Sequence, residues 1–386
     1  MAITGDQALV KKINKSIILS TIREHAPLSR ARVSELTGLN KATVSNLVTE
    51  LIENHLVTEL GPGQSSGGRK PLMLLFNNTA GYAVGIELTV AKLRGVLTDL
   101  AGNIVHETSL PLTDHDIPSV TARIITMTKQ LQTEAPLSPH GVIGIGVGVP
   151  GMVDEEGTIL FAPNLGWNTV PLASMLEEEL GLPVTIDNEA NAGASGELHF
   201  GAGKGMRHLI YISAGSGIGS GIMIDGGLYK GAWGYAGETG HMSIDAEGKQ
   251  CTCGNRGCWE LYASEKAYSD PNLQIPAGTT AELVAYAEQG DSAVLELYRS
   301  IGHRLGIGIT NIVNSFNPER IIVGGPLSEA REYMEDSLQQ VVAERTLPYH
   351  MRSLQISFAQ LGSKSTLIGS AYGAISQFLG HIRVSA

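Results

Sequence analysis

A glycine-rich strand–turn–strand pattern occurs twice in the chain, and this repeat constrains the fold more than any other feature of the sequence. The first copy spans residues 81–110 and the second spans residues 207–244, and helical patterns follow each copy. An internal repeat indicates two related structural units, and strands that alternate with helices predict an α/β architecture. We therefore expect two α/β lobes that face each other across a cleft. The last helix, over residues 365–379, is expected to pack back on the first lobe.

Residues 9–60 follow a helical period instead. Their apolar residues form three stripes, made by Ile17, Ile18 and Ile22, by Val33 and Leu36, and by Val44, Leu47, Val48 and Leu51. The third stripe has the i, i+3, i+4, i+7 spacing of an amphipathic helix. Ser29 and Asn40 stand at N-cap positions and Gly38 is a helix stop, so the sequence predicts three short helices.

Two short apolar runs follow, over residues 57–60 and 72–76, on either side of a polar, glycine-rich loop. They predict a β-ribbon that carries Arg69 and Lys70 at its tip. Three short helices followed by a basic ribbon are the layout of a winged helix-turn-helix, in which one helix enters the major groove of DNA. A small helical protein-interaction module is the alternative, but it would not need the basic ribbon.

The third helix turns its polar side away from the apolar stripe. That side offers hydrogen-bond donors and acceptors to base edges, and the residues concerned are Asn40, Lys41, Thr43, Ser45 and Asn46. Arg69 and Lys70 suit the phosphate backbone or the minor groove. The sequence thus predicts DNA as a partner of the N-terminal region.

The charge distribution agrees with this division. Residues 1–80 contain 9 Lys and Arg against 6 Asp and Glu, although the whole chain carries a net charge of −11. A small basic unit joined to an acidic body suits a DNA-binding head on a ligand-binding body. No apolar run reaches the roughly 18 residues that span a bilayer, and the first residues do not match a signal peptide. We therefore expect a cytoplasmic protein with no membrane partner.

The three cysteines of the chain, Cys251, Cys253 and Cys258, lie close together and follow His241. A disulfide framework is therefore not expected. One imidazole and three thiolates are the number and kind of ligands that a closed tetrahedral zinc site uses. The segment thus predicts a structural Zn²⁺, with three buried or redox-active cysteines as the alternative.

Carboxylate and amide side chains recur beside glycine turns, at Asn164, in the DNEAN segment at 187–191, at Glu238 and at Glu260. A ligand with many hydroxyl groups needs such side chains, because each one can bond one or two hydroxyls, and Trp167 could add an apolar face. Taken singly, each residue could equally be a helix cap or a solvated acid. Their recurrence around the cysteine segment favours a sugar-like ligand.

Four segments resemble the ROK family of bacterial repressors and sugar kinases: GVGVPGMVD at 146–154, DNEANAGASGE at 187–197, GETGH at 237–241 and CTCGNRGC at 251–258. The resemblance implies an actin/hexokinase-like (ribonuclease H-like) body of two α/β lobes with a sugar in the cleft. Matched by motif, the implied sugar-binding residues are Asn164, Asn188, Glu189, Glu238, His241 and Glu260. His241 would serve both the zinc and a sugar hydroxyl.

The layout of head and body is most similar to the xylose-operon repressors of this family. It implies a winged helix-turn-helix head at residues 1–78, a first lobe at 79–187 plus 365–386, and a second lobe at 188–364. It also implies a homodimer, or a dimer of dimers, that binds palindromic operator DNA and is released by a small sugar effector, xylose.

Two departures from the kinases of the family argue against an enzyme. The kinases carry an Asp-x-Gly-Gly-Thr phosphate loop, whereas here Glu87 replaces Asp, Thr89 and Val90 replace the glycines, and Ala91 replaces Thr. β-branched side chains add bulk where a phosphate needs exposed backbone amides. Glu189 also replaces the general-base Asp, and a misplacement of roughly 1 Å can cost about a hundredfold in rate.

The expected function is therefore a sugar-responsive transcriptional repressor that does not transfer phosphate. An ATP-dependent sugar kinase with an accessory DNA-binding head is the alternative, since a second glycine loop at 213–221 is retained. A scaffold that binds a protein partner is a third interpretation.

Overall fold

The computed structural model describes residues 7–62, 72–269 and 275–380. The N-terminal head consists of α1 (Gln7–His25), β1 (Leu28–Ser29), α2 (Arg30–Thr37), α3 (Lys41–Glu53), β2 (Val57–Pro62) and β3 (Leu72–Phe76). β3 pairs antiparallel with both β1 and β2. The two strands of the predicted ribbon are therefore present, while Arg69 and Lys70, which were predicted at its tip, lie outside the described residues.

The local helix signals in the head are confirmed. The Ser29 hydroxyl accepts a hydrogen bond from the Arg32 amide, and the Asn40 Oδ1 accepts one from the Thr43 amide at 2.8 Å. Gly38 ends α2 with φ +71°, a left-handed conformation that glycine adopts without strain. These caps fix the sharp turn between α2 and α3.

The predicted apolar stripes are wrong at two residues. Ile17 and Leu36 are each 41% exposed, whereas Ile18, Ile22 and Val33 are fully buried. Each residue of a helix is rotated by about 100° from the one before it, so Ile17 cannot share the buried face centred on Ile18 and Ile22. The whole stripe of α3 is buried as predicted.

The first lobe contains β4 (Tyr82–Leu88), β5 (Lys92–Asp99), β6 (Ile104–Pro111), α4 (Ile117–Thr133), β7 (Val142–Val149), β8 (Met152–Val153), β9 (Ile159–Ala162), β10 (Trp167–Val170), α5 (Leu172–Leu180) and β11 (Val184–Asn188). Its main sheet has the order β11–β7–β4–β5–β6, and β8 to β10 form a small second sheet. β4, β5 and β6 are antiparallel, while β7 and β11 run parallel to β4.

The second lobe follows α6 (Glu189–Phe200) and contains β12 (Leu209–Ala214), β13 (Ile218–Ile224), β14 (Gly227–Leu228), α7 (Glu260–Ala263), α8 (Thr280–Glu288), α9 (Ser292–Phe316), β15 (Arg320–Gly324), α10 (Arg331–Arg345) and β16 (Gln355–Phe358). Its sheet order, β16–β15–β12–β13–β14, matches that of the first lobe strand for strand. The predicted repeat is confirmed. The third strand of the repeat is very short, because the chain leaves the sheet after Leu228.

The last helix, α11 (Ser365–Phe378), packs on β4 and β7 of the first lobe, as predicted, and also against α6. Both contacts depend on glycine. A Cβ at Gly146 would lie 1.8 Å from the Ser370 carbonyl oxygen, and one at Gly369 would lie 1.7 Å from the Ala192 carbonyl oxygen. The close approach makes α6 and α11 a tightly packed pair between the two sheets. No helix in the described part of the chain is long and apolar enough to cross a membrane.

Candidate functional site

The predicted DNA-contacting face lies on α3. Lys41, Ser45 and Asn46 are exposed, whereas Thr43 is half-buried. Asn40 is exposed as well, but its side-chain oxygen caps the helix, which leaves its amide nitrogen for another partner. The face thus offers an ammonium, a hydroxyl and amide groups at the start of a helix that can enter the major groove.

Arg30, the first residue of α2, supports this face and was missed by the sequence analysis. Its guanidinium donates to the Ser45 carbonyl at 2.8 Å and to the Thr49 hydroxyl at 3.1 Å. The same group pairs with Glu59 of β2 at 2.9 Å. Arg30 therefore ties α3 to the ribbon. An arginine at the first position of a short helix gave no sequence signal for this role.

Asn188 and Glu189 stand where β11 passes into α6. The Asn188 Oδ1 accepts from the Ala190 amide at 2.8 Å, so Asn188 is the N-cap of α6. Its Nδ2 donates to the Gly151 carbonyl at 3.0 Å and to the Glu189 carboxylate at 2.9 Å. Asn188 therefore fixes the start of α6 against the glycine turn of the first lobe and orients Glu189.

Glu189 is held in an environment that disfavours its charge. Burial raises its pKa to about 8, and the nearby carboxylates of Glu238 and Glu87 add to the effect. Across the cleft lies Gly219 of β13, where a Cβ would come within 3.7 Å of the Glu189 Oε1. At neutral pH the carboxyl is thus mostly protonated, and it can both donate to and accept from a hydroxyl group.

Glu238 and Glu260 belong to the second lobe. Glu260 is buried and accepts from the Lys266 ammonium at 2.6 Å, and its Oε2 lies 2.8 Å from where a Cβ of Gly217 would stand. Glu238 is open to solvent. Partial desolvation nevertheless raises the pKa of its carboxyl, opposed by His241 and reinforced by Glu260. Glu189, Glu238 and Glu260 therefore form one acidic cluster, with His241 beside it.

Asn164 and Trp167, the two first-lobe residues suggested for the sugar site, are not joined to the acidic cluster by any hydrogen bond in the described part of the chain. Asn164 is exposed in a single turn of 3-10 helix. The suggestion that Trp167 offers an apolar face is wrong. Its side chain is buried in the core of the first lobe, and its Nε1 donates to the His115 carbonyl at 2.6 Å.

An exposed aromatic residue stands on a different segment. Trp233 is 79% exposed in the loop of residues 229–237, which links β14 to the turn that carries Glu238. Lys230 of this loop pairs with Asp187 of β11 at 2.8 Å. A Cβ at Gly234 would lie 3.2 Å from the Val153 carbonyl oxygen. The loop thus reaches from the second lobe to the first beside Asn188, and it carries an exposed aromatic ring that the sequence analysis did not consider.

The turn between β4 and β5 is closed by hydrogen bonds within residues 89–92. The Thr89 amide donates to the Lys92 carbonyl at 3.0 Å, and the Lys92 amide donates to the Thr89 hydroxyl at 3.1 Å. Two amides are therefore already bonded within the turn. Glu87 pairs with Arg94 at 3.1 Å, and Arg94 also donates to the Ser363 carbonyl at 2.7 Å.

His241, Cys251, Cys253 and Cys258 form a cluster that could hold a metal ion, since their ligand atoms all lie within 4.8 Å of one another. The Cys253 and Cys258 sulfurs are 3.6 Å apart, and the Cys251 sulfur is 3.8 Å from the His241 Nδ1. Ligands at zinc–sulfur bond length in a tetrahedron are separated by about 3.8 Å. The donor set and its spacing therefore fit a tetrahedral ion.

A winged helix-turn-helix head joined to an actin/hexokinase-like body, with an acidic cleft between its lobes, defines a ligand-binding regulator of the repressor type. The chain belongs to the ROK family, whose family model matches residues 83–377.

Similarity to individual proteins extends over head and body together. The chain is 43% identical over 383 residues to a protein named xylose repressor from Bacillus spizizenii, with 98% of this chain and 99% of the relative covered. A crystal structure of a ROK family transcriptional regulator, a homolog of the E. coli MLC protein, superimposes with a TM-score of 0.82 at 28% identity and covers 96% of both chains. A ROK family glucokinase from Streptomyces griseus, in complex with glucose and AMPPNP, matches with a TM-score of 0.64 at 29% identity. The match covers 76% of this chain and 98% of the glucokinase chain.

Proposed function

We propose that the protein is a sugar-responsive transcriptional repressor of xylose-utilisation genes, and that xylose binding in the cleft releases it from operator DNA. One observation carries this proposal. The match to the xylose repressor includes the DNA-binding head and spans nearly all of both chains, whereas the glucokinase matches about three quarters of this chain. The part that distinguishes this chain from such a kinase is thus the part that can bind DNA.

The sugar would lie between the lobes. Asn188, Glu189, Glu238 and Glu260 would accept and donate hydrogen bonds to its hydroxyls, with Asn164 and the outer nitrogen of His241 at its edge. Trp233 would cover its apolar face, because sugars present C–H groups on one side that suit an aromatic ring. Assignment of the sugar as xylose rests on the similarity to the xylose repressor.

Zn²⁺ is the proposed occupant of the cysteine cluster. His241 and the three cysteines would hold it in a closed site, and its role would be structural. The cluster lies between the turn that carries Glu238 and the helix that begins with Glu260. By joining these segments, the ion would keep the two carboxyl groups at a fixed distance.

Phosphoryl transfer is not part of the proposal. The β4–β5 turn uses two amides internally, and Thr89 and Val90 would add β-branched bulk where a phosphate would have to approach. Glu189 would also place its carboxyl one methylene away from the position of the kinases' general-base Asp, and a misplacement of roughly 1 Å can cost about a hundredfold in rate. Both observations favour binding of sugar without chemistry.

DNA would be bound by Asn40, Lys41, Thr43, Ser45 and Asn46 in the major groove, with Arg69 and Lys70 on the backbone. A symmetric homodimer, or a dimer of dimers, would place two heads on a palindromic operator with half-sites about 34 Å apart. The protein would bind DNA only through its head, for which we propose the limits 1–78. Because DNA is its partner, the protein would act in the cytoplasm.

The test is operator binding at fixed salt, measured by gel shift with the DNA upstream of the coding sequence. Xylose, glucose, N-acetylglucosamine and ATP are added in turn. A coupling free energy of about 2–3 kcal/mol would weaken operator binding about 30- to 150-fold when xylose is present. Operator binding that no sugar changes would contradict the proposal, and sugar phosphate formed from ATP would revive the kinase alternative.

Glu238→Gln tests the site itself. The variant keeps the size of the side chain but loses its charge, so we expect normal operator affinity and a loss of most of the xylose response. Glu178→Gln, at an exposed position on α5, is the matched control and should respond as the wild type does. Release of Glu238→Gln by xylose at wild-type concentrations would show that the sugar site is assigned wrongly.

A further inference from the structure

Arg23, near the end of α1, stands between two aromatic rings where the head meets the body. Its guanidinium carbon lies 5.9 Å from the centre of the Phe76 ring in β3 and 5.9 Å from the centre of the Tyr372 ring in α11. Burial lowers the pKa of Arg23, although the group stays cationic at any ordinary pH. A half-buried cation over two rings is a specific contact, because planar guanidinium groups stack on aromatic faces.

The Tyr372 ring continues the stack into the body. It lies parallel to the His199 ring with 3.8 Å between the ring centres, and the Phe200 ring meets it edge-on at 5.7 Å. His199 and Phe200 are the last two residues of α6. Phe200 also packs against the turn at Gly102, where a Cβ would come within 2.8 Å of the ring.

The other end of α6 lies in the candidate sugar site. The helix begins at Glu189, and Asn188 is its N-cap. A helix of 12 residues is about 18 Å long and moves as a unit. A displacement of Glu189 caused by a ligand would therefore also displace His199 and Phe200.

A second contact fixes the head to the first lobe. His140, which precedes β7, is bonded through its Nε2 to the Asn54 carbonyl at the end of α3, at 2.9 Å. The His140 ring also meets the Phe378 ring edge-on at 5.0 Å. The head thus contacts the body through His140 as well as through the stack, beside apolar packing of Leu56, Phe76 and Leu379. A shift of α6 relative to the first lobe would rotate the head about the His140 contact.

We propose that the Arg23–Tyr372–His199 stack is the contact through which sugar binding at the start of α6 changes the orientation of the DNA-binding head. The proposal rests on the proposed repressor function and names its coupling residues. Arg23, Tyr372 and His199 touch neither DNA nor sugar in this scheme, and they act by positioning the head against the body.

The test compares His199→Ala and Arg23→Lys with wild type in three measurements: operator Kd without sugar, xylose Kd by calorimetry, and operator Kd with saturating xylose. Side chains between two coupled sites change the coupling by about 2- to 30-fold. We therefore expect both variants to keep the first two constants within about 2-fold and to lose most of the xylose-induced change in operator affinity. His303→Ala, at an exposed position on α9, is the matched control.

The outcomes separate this inference from the function on which it rests. Wild-type coupling in both variants would overturn the proposed role of the stack and leave the repressor function intact. Loss of operator binding without sugar in both variants would overturn it as well, because the stack would then be needed to hold the head in its binding-competent state. Wild-type protein that xylose does not release would contradict the repressor function itself.

Discussion

At the scale of single residues, the cleft is notable for carboxyl groups that lie close together without a matching number of cations. Lys266 compensates Glu260 and Arg94 compensates Glu87, but Glu189 is oriented by the amide of Asn188. Burial is the main cause of the raised pKa of Glu189, and the neighbouring carboxylates of Glu238 and Glu87 add to it. A neutral carboxyl suits a hydroxylated ligand, since it can both donate a hydrogen bond to a hydroxyl oxygen and accept one from a hydroxyl group.

The raised pKa predicts how stability depends on pH. The folded protein holds the Glu189 proton up to about pH 8, whereas the unfolded chain loses it near the ordinary value of 4.5. Within this window the folded state binds more protons, so the free energy of unfolding falls as pH rises. One pKa unit corresponds to about 1.4 kcal/mol, and solvent in the cleft reduces the effect, so we expect a contribution of about 1–3 kcal/mol.

Urea unfolding of the wild type and of Glu189→Gln between pH 5 and about pH 8 checks this prediction. The amide cannot titrate, so the variant should lose less stability across the range than the wild type does. The comparison removes the contribution of other groups, including Glu238 and Glu87, which also have raised pKa values. Parallel stability curves for the two proteins would show that Glu189 does not hold its proton in the folded state.

At the scale of helices and strands, the sequence predicted what depends on neighbours along the chain. The caps at Ser29 and Asn40 depend on bonds to residues three positions away. The two glycine-rich hairpins and their order were also predictable, because turns and strand periods are local features.

Features that depend on tertiary packing were not predictable in the same way. Trp167 follows a glycine and Trp233 precedes one. Nevertheless, Trp167 is buried under the first sheet, whereas Trp233 is exposed. The partners Arg30, Lys230 and Lys266 reach their sites through long, flexible side chains, so no spacing in the sequence marked them. Asn188, Glu189, Glu238 and Glu260 were predicted from segments that resemble ROK-family motifs and that adjoin glycine turns and the cysteine segment.

Loss of the proposed zinc ion from the cysteine segment should disturb both the turn that carries Glu238 and the helix that begins with Glu260. We expect one zinc ion per chain by elemental analysis, and we expect Cys253→Ser or treatment with a strong chelator to remove it. Structural zinc sites contribute directly to folding, and a loss of 1 kcal/mol lowers Tm by about 2–4 °C in domains of this size. The melting temperature and the xylose affinity should therefore both fall, because Glu238 and Glu260 lose their common support.

The head should be unaffected by this change, since it contains none of the four ligands. Operator binding without sugar thus serves as the internal control for folding. Full-length protein that contains no zinc, or a Cys253→Ser variant with unchanged Tm and unchanged xylose affinity, would show that the cluster is a set of free thiols.

At the scale of the whole molecule, the two lobes repeat one topology, and the cleft between them is spanned by the loop of residues 229–237. The Lys230–Asp187 ion pair and the approach of Gly234 to Val153 connect the lobes beside the proposed sugar site. Ligand binding between such lobes is expected to draw them together, and hinge closure is a common response in two-lobed proteins. A reporter on the loop should therefore register closure directly.

Trp233 is such a reporter. The chain has three tryptophans, and Trp167 and Trp259 are buried whereas Trp233 is 79% exposed. Fluorescence that acrylamide can quench must therefore come mainly from Trp233. We expect saturating xylose to shift this emission to shorter wavelength and to reduce its quenching, because the ring becomes covered by the sugar and the opposite lobe. Trp233→Ala should weaken xylose binding by about 2- to 10-fold, the range expected for loss of one aromatic contact.

Tyr349→Ala removes a similarly exposed ring from a turn between α10 and β16 and is the control for nonspecific effects of an aromatic deletion. It should leave xylose affinity and quenching unchanged. Trp233 that stays fully quenchable at saturating xylose would show that its ring remains in solvent when sugar is bound. In that case the sugar is held by the polar groups of the cleft alone, and the exposed ring belongs to a surface that the ligand does not reach.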